Sequence, residues 1–525
     1  MRHGFRLILI YLGIAIALLW PVGDGWVPGG MWTDSWNSQW AMWFAHEAMS
    51  QGELPWTTHL LNHPNGGTVL LPDALGALFG SLTVGWLGVA GATTAWFVLQ
   101  LSLAGLVAHR FAIEWMVHGG MAERNAHTAA WVAGIGHMTA PVLLAGAYCG
   151  TTEAVAGGWT ALAVWLHWRT LQHPTWKRGI LAGVGYWLAA LAGWYTVTIA
   201  FVFGAILSLA DGKRLGVSAG WPFLLGLIGV VPFAFVSLQI HGDPNHLATR
   251  APEVYAYIRN GVGSASIMGM VWPIDTPWIG TPEGSLQTDG YLHTAYLGWT
   301  LIIGSCVTLK RGIRGSQSLL LAGMLCAILA WGPGPDGYLP YGWIEDLPGF
   351  RSLSLLWRLA GGAALAIALA AAAATTGSRT NVVFTIVLVL IEVFVWSPVK
   401  GPTPHVNGSH QGAMVRLESQ PPGSVLTLPA SQQKTDLWLQ TQHHHPVTGG
   451  INQRRSRAAH AWLDRSKTDP WTVVIQEAKA IDLRYVIVHQ SKRLRKGPEN
   501  AIAHRLQQNA KQVSKSERWT VYAVW

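Results

Sequence analysis

The chain has 525 residues, of which charged residues make up only 12% and hydrophobic ones 50%, and its mean hydropathy is +0.28. Soluble domains carry roughly 25% charged residues, so an ordinary soluble globular protein is excluded. The formal charge of +9 does not indicate a nucleic-acid partner, because the charges follow loop position, and three cysteines (Cys149, Cys306, Cys326) give neither a disulfide framework nor metal-ligand spacing.

Apolar runs of about 20 residues suit a membrane span. They predict eleven spans, near 7–22, 89–108, 128–147, 154–171, 179–194, 195–210, 217–238, 291–309, 317–332, 355–375 and 381–397. Thirty Trp and sixty Gly fit this class, since Trp anchors at interfaces and Gly lets helices pack closely. The first run is read as a retained anchor, because Trp20-Pro21-Val22 offers no small-residue cleavage pattern. The stretch 74–88 is short and follows Asp73, so it is expected to lie as an interfacial helix. With the N-terminus inside, thirteen Lys and Arg fall on inner loops against four (Arg250, Arg259, Arg351, Arg358) on outer ones. That is the positive-inside bias of a multi-pass protein. The outer loops 23–88 and 239–290 are then long, and 333–354 is rich in Gly and Pro.

The tail from 398 to 525 differs in kind. It carries eighteen of the thirty-five Lys and Arg. Ser424–Leu428, Arg484–Val488 and Trp519–Val524 read as strands, and segments near 471–482 and 499–512 as helices. The fold class expected is therefore an α-helical polytopic membrane protein, residues 1–397, with a small extracytoplasmic α/β domain, residues 398–525.

Polar residues near the spans are the functional candidates. Asp34 lies about a dozen residues past the first span, among Trp32, Trp36, Trp40 and Trp43. A carboxylate walled by aromatics at the membrane surface can accept a proton from a hydroxyl or amine nucleophile. It can equally cap a helix beginning at Ser35. His63 sits in the turn Leu61-Asn62-His63-Pro64-Asn65-Gly66-Gly67, where it suits either a phosphate or sugar contact or a structural role. Asp73 is the further acid of this loop taken as substrate-binding. Glu153, at the outer mouth of the fourth span, is costly there unless it faces water or a partner. It would also be favoured by a helix N-terminus. Arg351 and Arg358 are seven apart, two helical turns, so that both can face one side of the tenth span's entrance. Paired guanidiniums there suit a phosphate or pyrophosphate; lipid headgroups, or Glu345 and Asp346, are the competing partners. His443-His444-His445 lacks ligand spacing for a metal. Asn407-Gly408-Ser409 matches a glycosylation pattern that is common by chance. With no phosphate-binding Gly loop, no HExxH and no nucleophile elbow, a cytoplasmic ATP-driven mechanism is not expected.

In order along the chain come an anchor, a loop with an aromatic-flanked Asp, a Pro-Asn-Gly-Gly turn and Leu71-Pro72-Asp73. Later follow Leu347-Pro348-Gly349-Phe350-Arg351, Trp357-Arg358 and an α/β tail. That tail holds Leu426-Thr427-Leu428-Pro429, a Gln440 to Gly450 segment with Arg454 and Arg455, and Leu483 to His489. This pattern resembles the GT-C superfamily of polytopic glycosyltransferases, in particular a bacterial branch with a C-terminal extracytoplasmic domain. The resemblance implies transfer of a sugar from a polyprenyl-phosphate donor to a glycan, lipid or protein acceptor at the outer face of the bacterial cytoplasmic (inner) membrane. Asp34 would be general base or acceptor ligand and Glu153 a second acid, while Arg351 and Arg358 would hold the donor's phosphate. Loop one has no Asp-Glu or Asp-x-Asp pair, the usual metal cue. No cofactor is called for, and a divalent metal, though compatible, is not indicated. A non-catalytic assembly factor and a lipid-linked glycan transporter are the alternatives. The transporter would need charged or broken helices near mid-membrane, where the spans here are nearly free of ionisable groups.

Overall fold

A computed structural model gives the structure of the chain. It describes residues 2–23, 25–30, 34–210, 252–272, 294–334, 337–347, 350–399, 403–408, 412–429, 433–450, 456–490 and 499–525, with isolated positions between 220 and 235 and at 494 and 497. Most of the expected span at 217–238, much of the loop at 239–290, and Asp24, Trp32, Arg250, Pro348, Gly349, Ser409, Arg454 and Arg455 lie outside the described residues.

Lipid leaves backbone groups no water to bond, so a chain this apolar satisfies them within helices. Among the described residues, four helices are long and apolar enough to cross a membrane: Ala74–His118, Glu123–Cys149, Leu356–Ala374 and Arg379–Trp396. Four shorter apolar ones are Gly4–Leu18, Trp194–Ala210, Trp299–Lys310 and Ser316–Ala330. Gly157–Gln172 and Trp176–Ala192 add two further helices to the body. The Ala360–Ala374 helix is its centre. Its run of Ala and Gly is buried from Ala360 to Ala373, and small residues of this kind let neighbouring backbones approach.

Two breaks carry physical meaning. The 45-residue helix Ala74–His118 is interrupted at Gly88, whose φ of 67° and ψ of 169° only glycine adopts readily. The segment before Gly88 therefore forms its own helical arm, which exposes Leu78, Leu82 and Trp86 and buries Leu75, Ala77 and Val84. The predicted span 128–147 is split, because Pro141 lacks the N–H needed to continue a helix. Glu123–Met138 ends there and Pro141–Cys149 begins anew.

The tail builds a four-stranded sheet from β5 (Ser424–Leu428), β6 (Leu483–His489), β7 (Lys511–Lys515) and β8 (Trp519–Ala523), in the order β5-β6-β8-β7. β5 and β6 are parallel and the other pairings antiparallel. The expected helix near 499–512 spans Asn500–Asn509, and Lys511 already starts β7. One side of the tail packs on itself around Trp462, Val474, Ile502 and Leu506. The other side does not close alone. Trp36, Trp40, Trp43 and Phe44 of the loop-one helix Ser35–Ser50 share a core with Met414, Leu417, Trp438, Tyr485 and Trp519. Trp36 stacks on Trp438 at 4.6 Å, and the Trp40 indole N–H donates to Gln440 Oε1 at 2.8 Å. A short ladder of β1 (Trp26–Pro28) and β4 (His405–Asn407) adds a backbone tie, and within loop one β2 (Thr57–Thr58) pairs with β3 (Gly67–Thr68). Ser397 thus marks where the chain leaves the last helix, while the packing unit above the bundle is loop one plus tail, called the cap below.

This sharing generates a prediction. Trp40→Ala empties a fully buried site and strands the Gln440 amide. It should destabilise the full chain by about 3–5 kcal/mol, whereas Leu82→Ala on the exposed arm should cost less than about 0.5 kcal/mol. Thermal melts of the two variants in one detergent check the contrast.

Candidate functional site

The site begins where the Pro141–Cys149 helix ends. Gly150, at φ 67°, closes that helix in the left-handed conformation that glycine favours. A Cβ there would lie 2.7 Å from Ser35 Cα, so only glycine lets the loop-one helix come this close. Two bonds clamp the approach. The Asp34 N–H donates to Cys149 O at 2.9 Å and the Ser38 hydroxyl to Gly150 O at 2.9 Å.

Asp34 occupies the position preceding the helix, but its carboxylate makes no capping bond to the helix backbone. Its Oδ1 instead meets Lys434 Nζ at 2.8 Å and accepts from Asn37 Nδ2 at 3.0 Å. Lys434 comes from the tail helix Gln433–His443. The acid is therefore held jointly by loop one and tail.

Three residues after Gly150, in the short turn Thr152–Ala154, Glu153 Oε1 meets Arg358 Nη1 at 3.1 Å. Arg358 is buried, its side chain 8% exposed, and Glu153 is half-buried at 18%. The guanidinium lies 5.3 Å above the Tyr195 ring, and the Tyr195 hydroxyl accepts from the N–H groups of Ser354 and Leu355. Tyr195 thereby orients the turn that carries Arg358. Arg358 Nε is buried without a hydrogen-bond partner. Burial raises the Glu153 carboxyl, Arg358 opposes the rise, and Asp34 adds to it by like-charge repulsion. Asp34 also acts electrostatically on Arg358, so Lys434–Asp34 and Glu153–Arg358 form one electrostatic group.

Asp73 is the buried floor of this region. It accepts from Gly76 N–H at 2.8 Å and from the Trp96 indole at 2.7 Å, and the Thr152 side chain donates to it as well. Burial pushes its carboxyl up to about 7 against those three bonds, with Glu153 adding to the rise.

The other two candidates sit elsewhere. The His63 turn docks on the tail, Asn62 N–H donating to Gly449 O and His63 N–H to Val447 O. Burial lowers the pKa of its ring, which faces Asp482. The expectation that Arg351 and Arg358 share one helical face is corrected. Phe350–Ser352 and Leu356–Leu359 are separate short turns with non-helical residues between them, so the two side chains do not follow a helical period. Arg351 is exposed and bonds Asp346 Oδ1 at 2.9 Å.

The histidine run has three separate structural jobs. His443 Nδ1 accepts from the His445 N–H, His444 pairs with Glu418, and both His445 ring nitrogens meet backbone carbonyls. Lys434, Tyr195 and Trp96 belong to the site without being singled out by the sequence. Nothing local marks Lys434 among the tail's many cations.

No protein-family model matches the chain, and no curated protein matches it in sequence. Solved structures do match. The oligosaccharyltransferase of Archaeoglobus fulgidus, in complex with zinc and sulfate, aligns with a TM-score of 0.54 at 14% identity, covering 95% of this chain and 69% of that one. The same protein tethered to an acceptor peptide containing an NVT sequon gives 0.51 at 15%, covering 95% and 70%. ArnT from Cupriavidus metallidurans, bound to undecaprenyl phosphate, gives 0.50 at 13%, covering 99% and 97%. The chain has the GT-C fold. In that fold the Lys434–Asp34 and Glu153–Arg358 pairs lie close enough for Asp34 to act electrostatically on both Glu153 and Arg358. Among the described residues no three His, Cys, Asp or Glu side chains converge as metal ligands.

Asp73 yields a pH prediction. Its folded pKa, about 7, lies above the ordinary 3.8, so the folded state binds this proton more tightly than the unfolded chain. Stability from Asp73 is therefore fully present below about 3.8 and is lost as pH rises towards 7, by about 1.4 kcal/mol for each step of one in pH. His63 and His443, both lowered by burial, act in the opposite sense. The difference between wild type and Asp73→Asn isolates the carboxyl: melting temperatures at pH 5 and pH 8 should differ between the two proteins by amounts that favour wild type more at pH 5.

Proposed function

We propose that this chain is a membrane glycosyltransferase that moves a sugar from a polyprenyl-phosphate donor to an acceptor at the extracytoplasmic face of the bacterial cytoplasmic membrane, with its N-terminus cytoplasmic and the cap outside. The observation that carries the reading is the convergence of Asp34, Glu153 and Arg358 from distant parts of the chain at one seam between bundle and cap. An acceptor hydroxyl or amine attacks the anomeric carbon and Asp34 takes its proton. The bond to the acceptor forms as the bond from that carbon to the phosphate oxygen breaks. The electron pair stays on the phosphate, where Arg358 stabilises the growing charge. Glu153 holds Arg358 in place, and Asp73 with Thr152 fixes the turn that carries Glu153. The neighbours' bound undecaprenyl phosphate and acceptor peptide suit the same substrate classes. The two closed ion pairs also suit a non-catalytic assembly factor, in which they would only brace the cap.

General-base removal costs about 10²–10⁴ in rate. Asp34→Ala should therefore abolish one glycan modification in cells and accumulate its polyprenyl-phosphate sugar donor, as deletion does. Lipid-linked glycan analysis reads both. A deletion phenotype without any Asp34→Ala phenotype would put the assembly-factor reading ahead.

A further inference from the structure

Lys434 belongs to the tail, yet its ammonium lies 2.8 Å from the loop-one acid. Both side chains keep access to solvent, Lys434 at 21% and Asp34 at 24% exposed, whereas Arg358 is at 8%. A lysine used only to brace the cap is not needed here, because the cap is already held by the Trp36, Trp40 and Trp43 core, the Trp40–Gln440 bond and the β1–β4 ladder. Charge conservation suggests a second use. With both acids ionised, Lys434, Asp34, Glu153 and Arg358 sum to zero. A sugar linked through a phosphate to a lipid is a phosphodiester with one negative charge, and its product, a phosphate monoester, carries up to two. The proton that leaves the acceptor neutralises Asp34, and the group of four then stands at +1. The cation released from its partner is Lys434, because Arg358 keeps Glu153.

We infer that Lys434 is a ligand of the donor's phosphate, the tail's own contribution to the transfer site, and that Asp34 and the phosphate compete for it. This rests on the transferase reading above. As the new bond to the anomeric carbon forms and the phosphate departs with its electron pair, the acceptor proton passes to Asp34, and the ammonium turns from carboxylate to phosphate. Lysine suits this exchange: it is a compact point charge on a flexible stem, whereas a guanidinium holds a fixed bidentate geometry.

The competition predicts effects of opposite sign. Full-length protein in nanodiscs is titrated with undecaprenyl phosphate, with undecaprenol and inorganic phosphate as separate arms, and binding is read from tryptophan fluorescence. Wild type should bind the lipid phosphate and not the alcohol. Lys434→Gln should weaken it at least tenfold, Lys434→Arg should recover most of the loss, and Asp34→Asn, which removes the competing anion at constant shape, should tighten it severalfold. If Lys434→Gln and Asp34→Asn shift affinity equally and in one direction, the pair is only a structural tie and the inference is overturned. Loss of binding in Arg358→Gln with full binding in Lys434→Gln overturns it too, while the transferase reading stands. Inorganic phosphate bound as tightly as the lipid phosphate overturns the lipid-linked assignment, and no binding in wild type sinks both readings. Melting curves of each variant confirm that the folded protein is being titrated.

Discussion

A guanidinium cannot be left bare at the edge of an apolar helix bundle. Taking an ion out of water costs several kcal/mol even after relaxation, and only a close counter-charge with further polar contacts offsets it. Arg358 meets that demand with Glu153 below and the Tyr195 ring beside it. The consequences spread outward. Glu153 is offered from the short turn Thr152–Ala154 that follows the Gly150 cap of the Pro141–Cys149 helix. That turn sets Thr152 on Asp73, which in turn holds the start of the Ala74–His118 arm through Gly76 and Trp96. It also follows Gly150, whose bare Cα admits Ser35 and whose carbonyl receives Ser38. One ion pair thus fixes the relation between bundle, arm and loop-one helix.

The cap is built on the same economy of surfaces. The Ser35–Ser50 helix is rich in Trp, a side chain that offers a large apolar face together with one N–H to satisfy. Its Trp40 is buried outright and finds Gln440, which also donates to Leu60 O and His445 O. Loop one therefore cannot fold its tryptophans away without the tail, and the tail leaves the Tyr485 and Trp519 side of its sheet to loop one. Mutual completion of this kind brings Lys434 to Asp34 across 400 residues of sequence, with no motif needed at either end.

How much of this is legible in the sequence follows from which force dominates locally. The helices are readable because lipid makes hydrophobic run length nearly decisive, and Pro141 carries its own break signal inside a run whose length alone reads as one span. β5, β6 and β8 are readable from β-branched and aromatic residues, whereas β7, Lys511-Gln512-Val513-Ser514-Lys515, is a polar edge strand that propensity assigns to no sheet. Asp34, Glu153 and Arg358 stand out because ionisable groups beside spans are rare, and the structure brings these three together. Arg351 departs from expectation because a helical period does not carry across residues that are not helical. Lys434 is invisible for the opposite reason to Asp34: among eighteen cations in the tail, one more carries no signal until its neighbour is known.

The site's two ion pairs differ in a way that bears on their use. Arg358 is shut into the protein, and opening its pair with Glu153 would leave a buried charge uncompensated, a loss of about 3–5 kcal/mol. That pair is suited to stay closed through a reaction cycle. Lys434–Asp34 is partly solvated, so an incoming anion can take the place of Asp34 on Lys434, and water can solvate the carboxylate left behind, at much smaller cost. Under the proposed transfer, a more enclosed pair beside a labile solvated one would divide the labour: the first would hold geometry, and the second would change its charge.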